Sequence, residues 1–166
     1  MIILSFSAGT TFVNRARNSI EMEKALLKKV FIVDDDNFNL SWYTKHVSDL
    51  GNYVVSSFDN GHDLLNALID KPQIIFLDHN LGSMTGIELL KRIKRFDPNV
   101  FVIFISGQDD MQTALNALKF GAFDYIIKGS GDLERITSVL KRVDDVQNFL
   151  PKSKRDFLSM VVNFFV

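Results

Sequence analysis

Six residues have the types and spacing to do chemistry. Three consecutive acids, Asp34, Asp35 and Asp36, end the apolar run Val30–Val33. A fourth, Asp78, ends the run Ile74–Leu77. Ser106 follows Val100–Ile105, and Lys128 follows Phe123–Ile127. Carboxylates gathered in one cleft cannot all stay ionised without a compensating cation. One lysine offsets only part of that charge. A hard divalent cation with oxygen ligands offsets more, and Mg²⁺ needs few carboxylates because it keeps several waters. Such a metal beside a lysine would neutralise the oxygens of a transferred phosphoryl group. One carboxylate can itself be the nucleophile and form an aspartyl phosphate. Ser106 would then hydrogen-bond a phosphoryl oxygen.

These residues converge only if the segments before them lie side by side. Five short runs rich in Val, Ile and Phe have the length and β-branching of buried strands: Val30–Val33, Tyr53–Val55, Ile74–Leu77, Val100–Ile105 and Phe123–Ile127. Amphipathic stretches alternate with them. Their apolar stripes are Leu40, Tyr43, Val47 and Leu50; Leu64, Leu65, Leu68 and Ile69; Ile87, Leu90 and Ile93; Met111, Leu115 and Leu118; and Leu133, Ile136, Leu140 and Val143. Strict alternation implies an α/β fold, a doubly wound parallel sheet with helices on both faces and right-handed crossovers. Ligands in such sheets bind beyond the carboxyl ends of the strands. All six residues are expected there.

At these positions the sequence resembles the receiver domain of two-component response regulators. The matching motifs are Phe-Ile-Val-Asp34-Asp35-Asp36, Phe-Leu-Asp78-His-Asn80-Leu-Gly-Ser-Met-Thr-Gly86, Phe-Ile-Ser106-Gly107 and Gly121-Ala-Phe-Asp-Tyr125-Ile-Ile-Lys128. The intervals match as well: 43 from Asp35 to Asp78, 28 to Ser106 and 22 to Lys128. The resemblance covers about residues 29–149. It implies a flavodoxin-like (βα)5 fold with strand order 2-1-3-4-5. It implies that Asp78 accepts a phosphoryl group from a phosphohistidine of a histidine kinase or phosphotransfer protein. Asp34, Asp35, Asp78 and the Asn80 carbonyl would hold Mg²⁺. Ser106 and Lys128 would engage the phosphoryl group. Tyr125 would be the switch aromatic that turns inward when Ser106 moves. The face of the fourth helix, fifth strand and fifth helix would then bind a downstream partner, an output domain or a second copy as a homodimer. Such a domain takes part in its own phosphorylation and turns over no external substrate.

The sequence departs from this family in places. Gly129 stands where a Pro preceded by a cis bond is usual, and Gly tolerates many backbone geometries. Gly82 also replaces a common Pro, and Thr85 a common Asp. Other residues have plainer readings. Asp36 is expected to cap a helix. His46, His62 and His79 share no ligand spacing and are expected to be exposed. Lys91, Arg92, Lys94 and Arg95 read most simply as a solvated helix face, with a docking surface as the alternative. Two rival functions remain: a receiver-like adaptor that works without phosphorylation, and a phosphatase of the haloacid-dehalogenase type. The latter needs a general acid two residues after its nucleophilic Asp, where this chain has Asn80.

Composition narrows the field further. The chain has 166 residues, 46% hydrophobic and 23% charged, which excludes a disordered chain. Its net charge of −1 argues against direct nucleic-acid binding. With no Cys, thiol nucleophiles and disulfide scaffolds are excluded. The apolar ending Phe157–Val166 has about half the roughly twenty residues a membrane span needs. No basic residue precedes the apolar start, so no signal peptide is expected and the cytoplasm is the default compartment. Residues 1–28 read as an N-terminal extension, with a capping box at Asn18 and Glu21 and a short helix over Ser19–Lys29. Residues 150–166, opened by the helix breaker Pro151, read as an apolar segment or the start of a linker.

Overall fold

The computed structural model describes residues 27–82, 84–107 and 111–149. Five strands form one parallel sheet: β1 (Lys28–Val33), β2 (Tyr53–Phe58), β3 (Ile74–Asp78), β4 (Phe101–Ser106) and β5 (Asp124–Ile127). Their spatial order is β2-β1-β3-β4-β5. β3 is buried along its whole length and β4 along all but its first residue. That is why these segments read as unbroken apolar runs rather than as alternating ones.

Four helices in the same compact unit position the strand ends: α1 (Asn37–Asp49), α2 (Gly61–Ala67), α3 (Gly86–Phe96) and α4 (Met111–Lys119). Strand side chains alternate between faces. Phe31, Val33, Ile75, Leu77, Val102 and Phe104 point to one face, where they pack with Leu64 and Leu68, with Leu89, Leu90 and Ile93 of α3, and with Ala117 of α4. α1 covers the other face of β1 and β2 with buried Tyr43 and Val47. A fifth helix, α5 (Asp132–Phe149), belongs to a second unit that begins at Gly131. Asp132 and Glu134 in its first turn complement the positive end of the helix dipole. Ile136, Val139, Leu140 and Val143 form its buried stripe.

The elements match the expected alternation, with four differences. α2 ends at Ala67, so Leu68 and Ile69 of the expected stripe fall in a 3-10 turn and Ile69 is exposed. Lys28 and Lys29 lie in β1, so the helix expected over Ser19–Lys29 does not reach its stated end. Strand pairing decides this: Lys28 and Lys29 stand in register with Tyr53 and Val54 of β2, and Gln73 N donates to Lys29 O at 3.0 Å. β2 runs three residues past Val55, to Phe58. The stripe Met111, Leu115 and Leu118 is exposed, at 74%, 54% and 47%, because α4 turns the small Ala117 to the sheet instead. Asn18, Glu21, Pro151 and the Phe-rich ending lie outside the described residues. Among the described residues no helix is long and apolar enough to cross a membrane.

Candidate functional site

The three acids after β1 separate into three tasks. Asp36 is the N-cap of α1, its carboxylate accepting from Phe38 N at 2.8 Å and Asn39 N at 3.3 Å. Asp34 turns inward and is buried. Asp34 N donates to Phe58 O at 3.1 Å, which ties the ends of β1 and β2 together. Its Oδ1 accepts from Asp36 N at 3.0 Å, so the cap and the buried acid share one turn. Asp35 lies between them and faces solvent.

Asp78, the last residue of β3, is also buried. Its Oδ2 accepts from Asn80 N at 2.6 Å. Lys128 follows β5, and its backbone N donates to Ser106 O at 2.8 Å. The Lys128 ammonium reaches back across the sheet to two carboxylates, Asp34 Oδ2 at 2.7 Å and Asp78 Oδ1 at 2.6 Å. Ser106 is 1% exposed and stands one residue past Ile105, the register partner of Asp78. The structure thus brings Asp34, Asp35, Asp78, Ser106 and Lys128 to one edge of the sheet, as expected. A cleft of about 380 Å³ opens beside them, lined by Asp35, Asn80, Leu81, Gly82, Met84, Thr85 and Glu88.

Electrostatics follow from this geometry. Burial pushes the Asp34 carboxyl above its ordinary value; the Lys128 hydrogen bond and charge pull it back only in part, and the nearby Asp78 charge adds to the rise. Burial alone would lower Lys128, but hydrogen bonds and charges from Asp34 and Asp78 outweigh it and hold the ammonium above its ordinary value. The asymmetry is physical: Lys128 has two carboxylate partners, whereas Asp34 has one lysine and a like charge beside it. One oxygen from each of Asp34, Asp35 and Asp78 can lie within 4.8 Å of the others. One ammonium against three carboxylates leaves an excess of negative charge, and this all-oxygen donor set suits a hard divalent cation.

Several supporting residues make contacts that the sequence does not announce. Gly86 opens α3 directly beneath Asp78. A Cβ there would overlap the Asp78 carbonyl and come within 2.8 Å of the Phe104 ring. Thr85 is the N-cap of α3 in a reciprocal capping box with Glu88, which the pattern Thr-x-x-Glu already signals. His79 is half-buried rather than exposed: its ring lies 5.7 Å from Phe104, and its Nδ1 has no hydrogen-bond partner among the described residues. Lys94 also departs from the expected solvated face, because its ammonium donates to Val100 O at 2.6 Å. Tyr125 is half-buried and stacks on Phe104 with ring centroids 5.9 Å apart. The described residues contain no cis peptide, so Lys128–Gly129 is trans, with Gly129 at φ +132°.

The response regulator receiver domain family matches residues 30–141. The DNA-binding transcriptional regulator NtrC of Salmonella typhimurium is 32% identical over 114 residues, covering 68% of this chain and 24% of NtrC. The transcriptional regulatory protein YpdB of Escherichia coli is 35% identical over 120 residues, covering 70% of this chain and 47% of YpdB. The chain therefore spans about a quarter and about half of these relatives. Among solved structures, a Burkholderia pseudomallei response regulator with a phosphorylated aspartic acid and a calcium ion is 25% identical. It superposes with a TM-score of 0.63 over 73% of this chain and 71% of that one. With this fold, this arrangement of strand-end residues and these relatives, the chain belongs to the response regulator receiver domain family.

Proposed function

We propose that this domain is a phosphorylation switch in which Asp78 accepts a phosphoryl group from a phosphohistidine on a partner kinase or phosphotransfer protein. The observation that carries the reading is the Lys128 ammonium held between the buried Asp34 and Asp78 carboxylates at 2.7 and 2.6 Å. A structural ion pair needs one acid. A lysine shared by two buried acids, with a third in reach, suits a site that handles mobile negative charge.

The transfer balances simply. A carboxylate oxygen of Asp78 bonds to phosphorus, and the phosphorus–nitrogen bond to the donor imidazole breaks. The bonding pair stays on that nitrogen, which takes up a proton, and Asp78 becomes a mixed anhydride. Asn80 N orients Asp78 before transfer, and Lys128 remains to neutralise the new phosphoryl oxygens. Ser106, buried at the end of β4, offers a hydroxyl to one of them. Asp34, Asp35 and Asp78, with the Asn80 carbonyl, would hold Mg²⁺, whose chemistry here is charge neutralisation on the transferred group. Tyr125 and the exposed α4 stripe would carry the consequence to a downstream protein, an output domain or a second copy.

The alternatives have less support. Asn80 cannot protonate a leaving group as a haloacid-dehalogenase-type phosphatase requires. An adaptor that never carries a phosphoryl group has no use for an intact acid–lysine–acid cluster. The test is intact-protein mass after incubation with Mg²⁺ and acetyl phosphate. The expected gain is one phosphoryl group, absent in Asp78→Asn. No gain in the wild type, or a gain that survives the substitution, overturns the reading.

A further inference from the structure

We infer that Phe104 is a positioning residue that couples the Asp78 turn to Tyr125 through an aromatic ladder of His79, Phe104 and Tyr125. The inference rests on the phosphorylation reading above and adds a route that this reading leaves open. Phe104 is fully buried, two residues before Ser106 on β4, so both side chains point to the same face of the sheet. Tyr125 is its register partner on β5. The two rings stack nearly parallel, 13° apart with centroids at 5.9 Å. On its other side the Phe104 ring meets His79, the residue directly after Asp78, at 5.7 Å and 50°.

The contacts at the Asp78 end are close. Phe104 Cζ occupies the space that a side chain at Gly86 would need. Gly86 N donates to His79 O at 2.7 Å, and His79 N donates to Ile105 O at 3.2 Å. The acceptor turn, the start of α3 and the Phe104 ring are therefore packed as one block. A shift of that turn as Asp78 gains a phosphoryl group reaches Phe104 without a gap to absorb it. The ring passes the shift to Tyr125 through its parallel face. His79 fits this role through its ring contact with Phe104, and among the described residues no hydrogen bond to its Nδ1 ties the imidazole elsewhere. An aliphatic side chain at 104 fills volume but offers no flat face for Tyr125.

The test compares wild type, Phe104→Leu and Phe104→Met by ring-resolved NMR of the three tyrosines, with Tyr125 assigned from Tyr125→Phe. Spectra are recorded with Mg²⁺, before and after saturation with beryllofluoride, a phosphoryl mimic. The expected result is beryllofluoride affinity within twofold of wild type in both variants, with the induced Tyr125 shift reduced by half or more. A Tyr125 shift of wild-type size in both variants overturns the ladder. So does a parallel loss of affinity, which would make Phe104 a support of the site and not a link to Tyr125. If neither variant folds, His79→Leu removes the other rung, and the Tyr125 response must fall there too; an unchanged response overturns the inference. A wild type that binds no beryllofluoride overturns the phosphorylation reading itself, which separates the two failures.

Discussion

At the residue scale the site is a contest between desolvation and pairing. Lys128 is held charged by two carboxylates in a largely buried setting. Removing the one ammonium leaves both buried carboxylates uncompensated, at a typical cost of about 3–5 kcal/mol, whereas removing Asp34 leaves Lys128 still paired with Asp78. Lys128→Met is expected to lower stability in urea by an amount of that order in the absence of divalent metal, with added Mg²⁺ recovering part of the loss. The pH dependence has a definite sign. A lysine raised in the fold contributes stability that is fully present below its unfolded value of 10.5 and is lost as pH rises through the folded value. The stability difference between wild type and Lys128→Met should therefore shrink above pH 10.5. Asp34 behaves oppositely. Its raised carboxyl binds a proton more readily in the fold than in the unfolded chain, so its charged form weighs against the fold as pH rises above 3.8. Asp34→Asn is expected to raise metal-free stability at pH 7 while abolishing the gain in melting temperature on adding Mg²⁺. A drop in metal-free stability would show that the bond to Lys128 outweighs burial.

At the element scale the start of α3 holds the acceptor turn in place. The capping box links Thr85 and Glu88, with Glu88 N donating to Thr85 Oγ1 at 3.3 Å and Thr85 N donating to Glu88 Oε2 at 3.0 Å. Thr85→Ala should cost about 1 kcal/mol in chemical denaturation. The Thr85 backbone and hydroxyl hydrogen bonds hold the Glu88 carboxyl below its ordinary value of 4.5, so the Glu88 contribution is present above that pH and lost as pH falls through the folded value. One residue on, Gly86→Ala is expected to cost more, about 2–3 kcal/mol, because the added methyl meets the Asp78 carbonyl and the Phe104 ring. It should also slow phosphorylation of Asp78, which Thr85→Ala should not. The sequence made the strands and their terminal residues readable, because a buried parallel strand is an unbroken β-branched run and Asp34, Asp78 and Lys128 each interrupt one. Gly86, His79 and Phe104 were not readable as partners, since their meaning lies in contacts between segments distant along the chain. The Lys94 ammonium was misread for the same reason: the carbonyl it caps, Val100 O, belongs to the turn before β4.

At the scale of the whole molecule, α4 carries the surface that most needs an explanation. Periodicity identified Met111, Leu115 and Leu118 as one face but could not tell which way that face points, because a helical stripe reads the same toward a core or toward a partner. The structure turns it outward, with Met111 74% and Leu115 54% exposed. Three large apolar side chains left in water on one face weaken solubility without adding to the fold, and such patches mark binding surfaces. α4 also contacts β5, the strand that carries Tyr125 and leads into Lys128. A change at Asp78 that reaches Tyr125 therefore arrives next to this face. For a ligand to move such an equilibrium, its affinity must differ between the two states. Leu115→Glu is thus expected to leave the rate and extent of acetyl-phosphate labelling within twofold of wild type, since residue 115 lies outside the acid cluster. The same substitution should abolish the increase in sedimenting mass, or the partner binding, that beryllofluoride induces in wild type. If beryllofluoride-induced association survives Leu115→Glu and Met111→Glu together, the response leaves the domain by a surface other than α4.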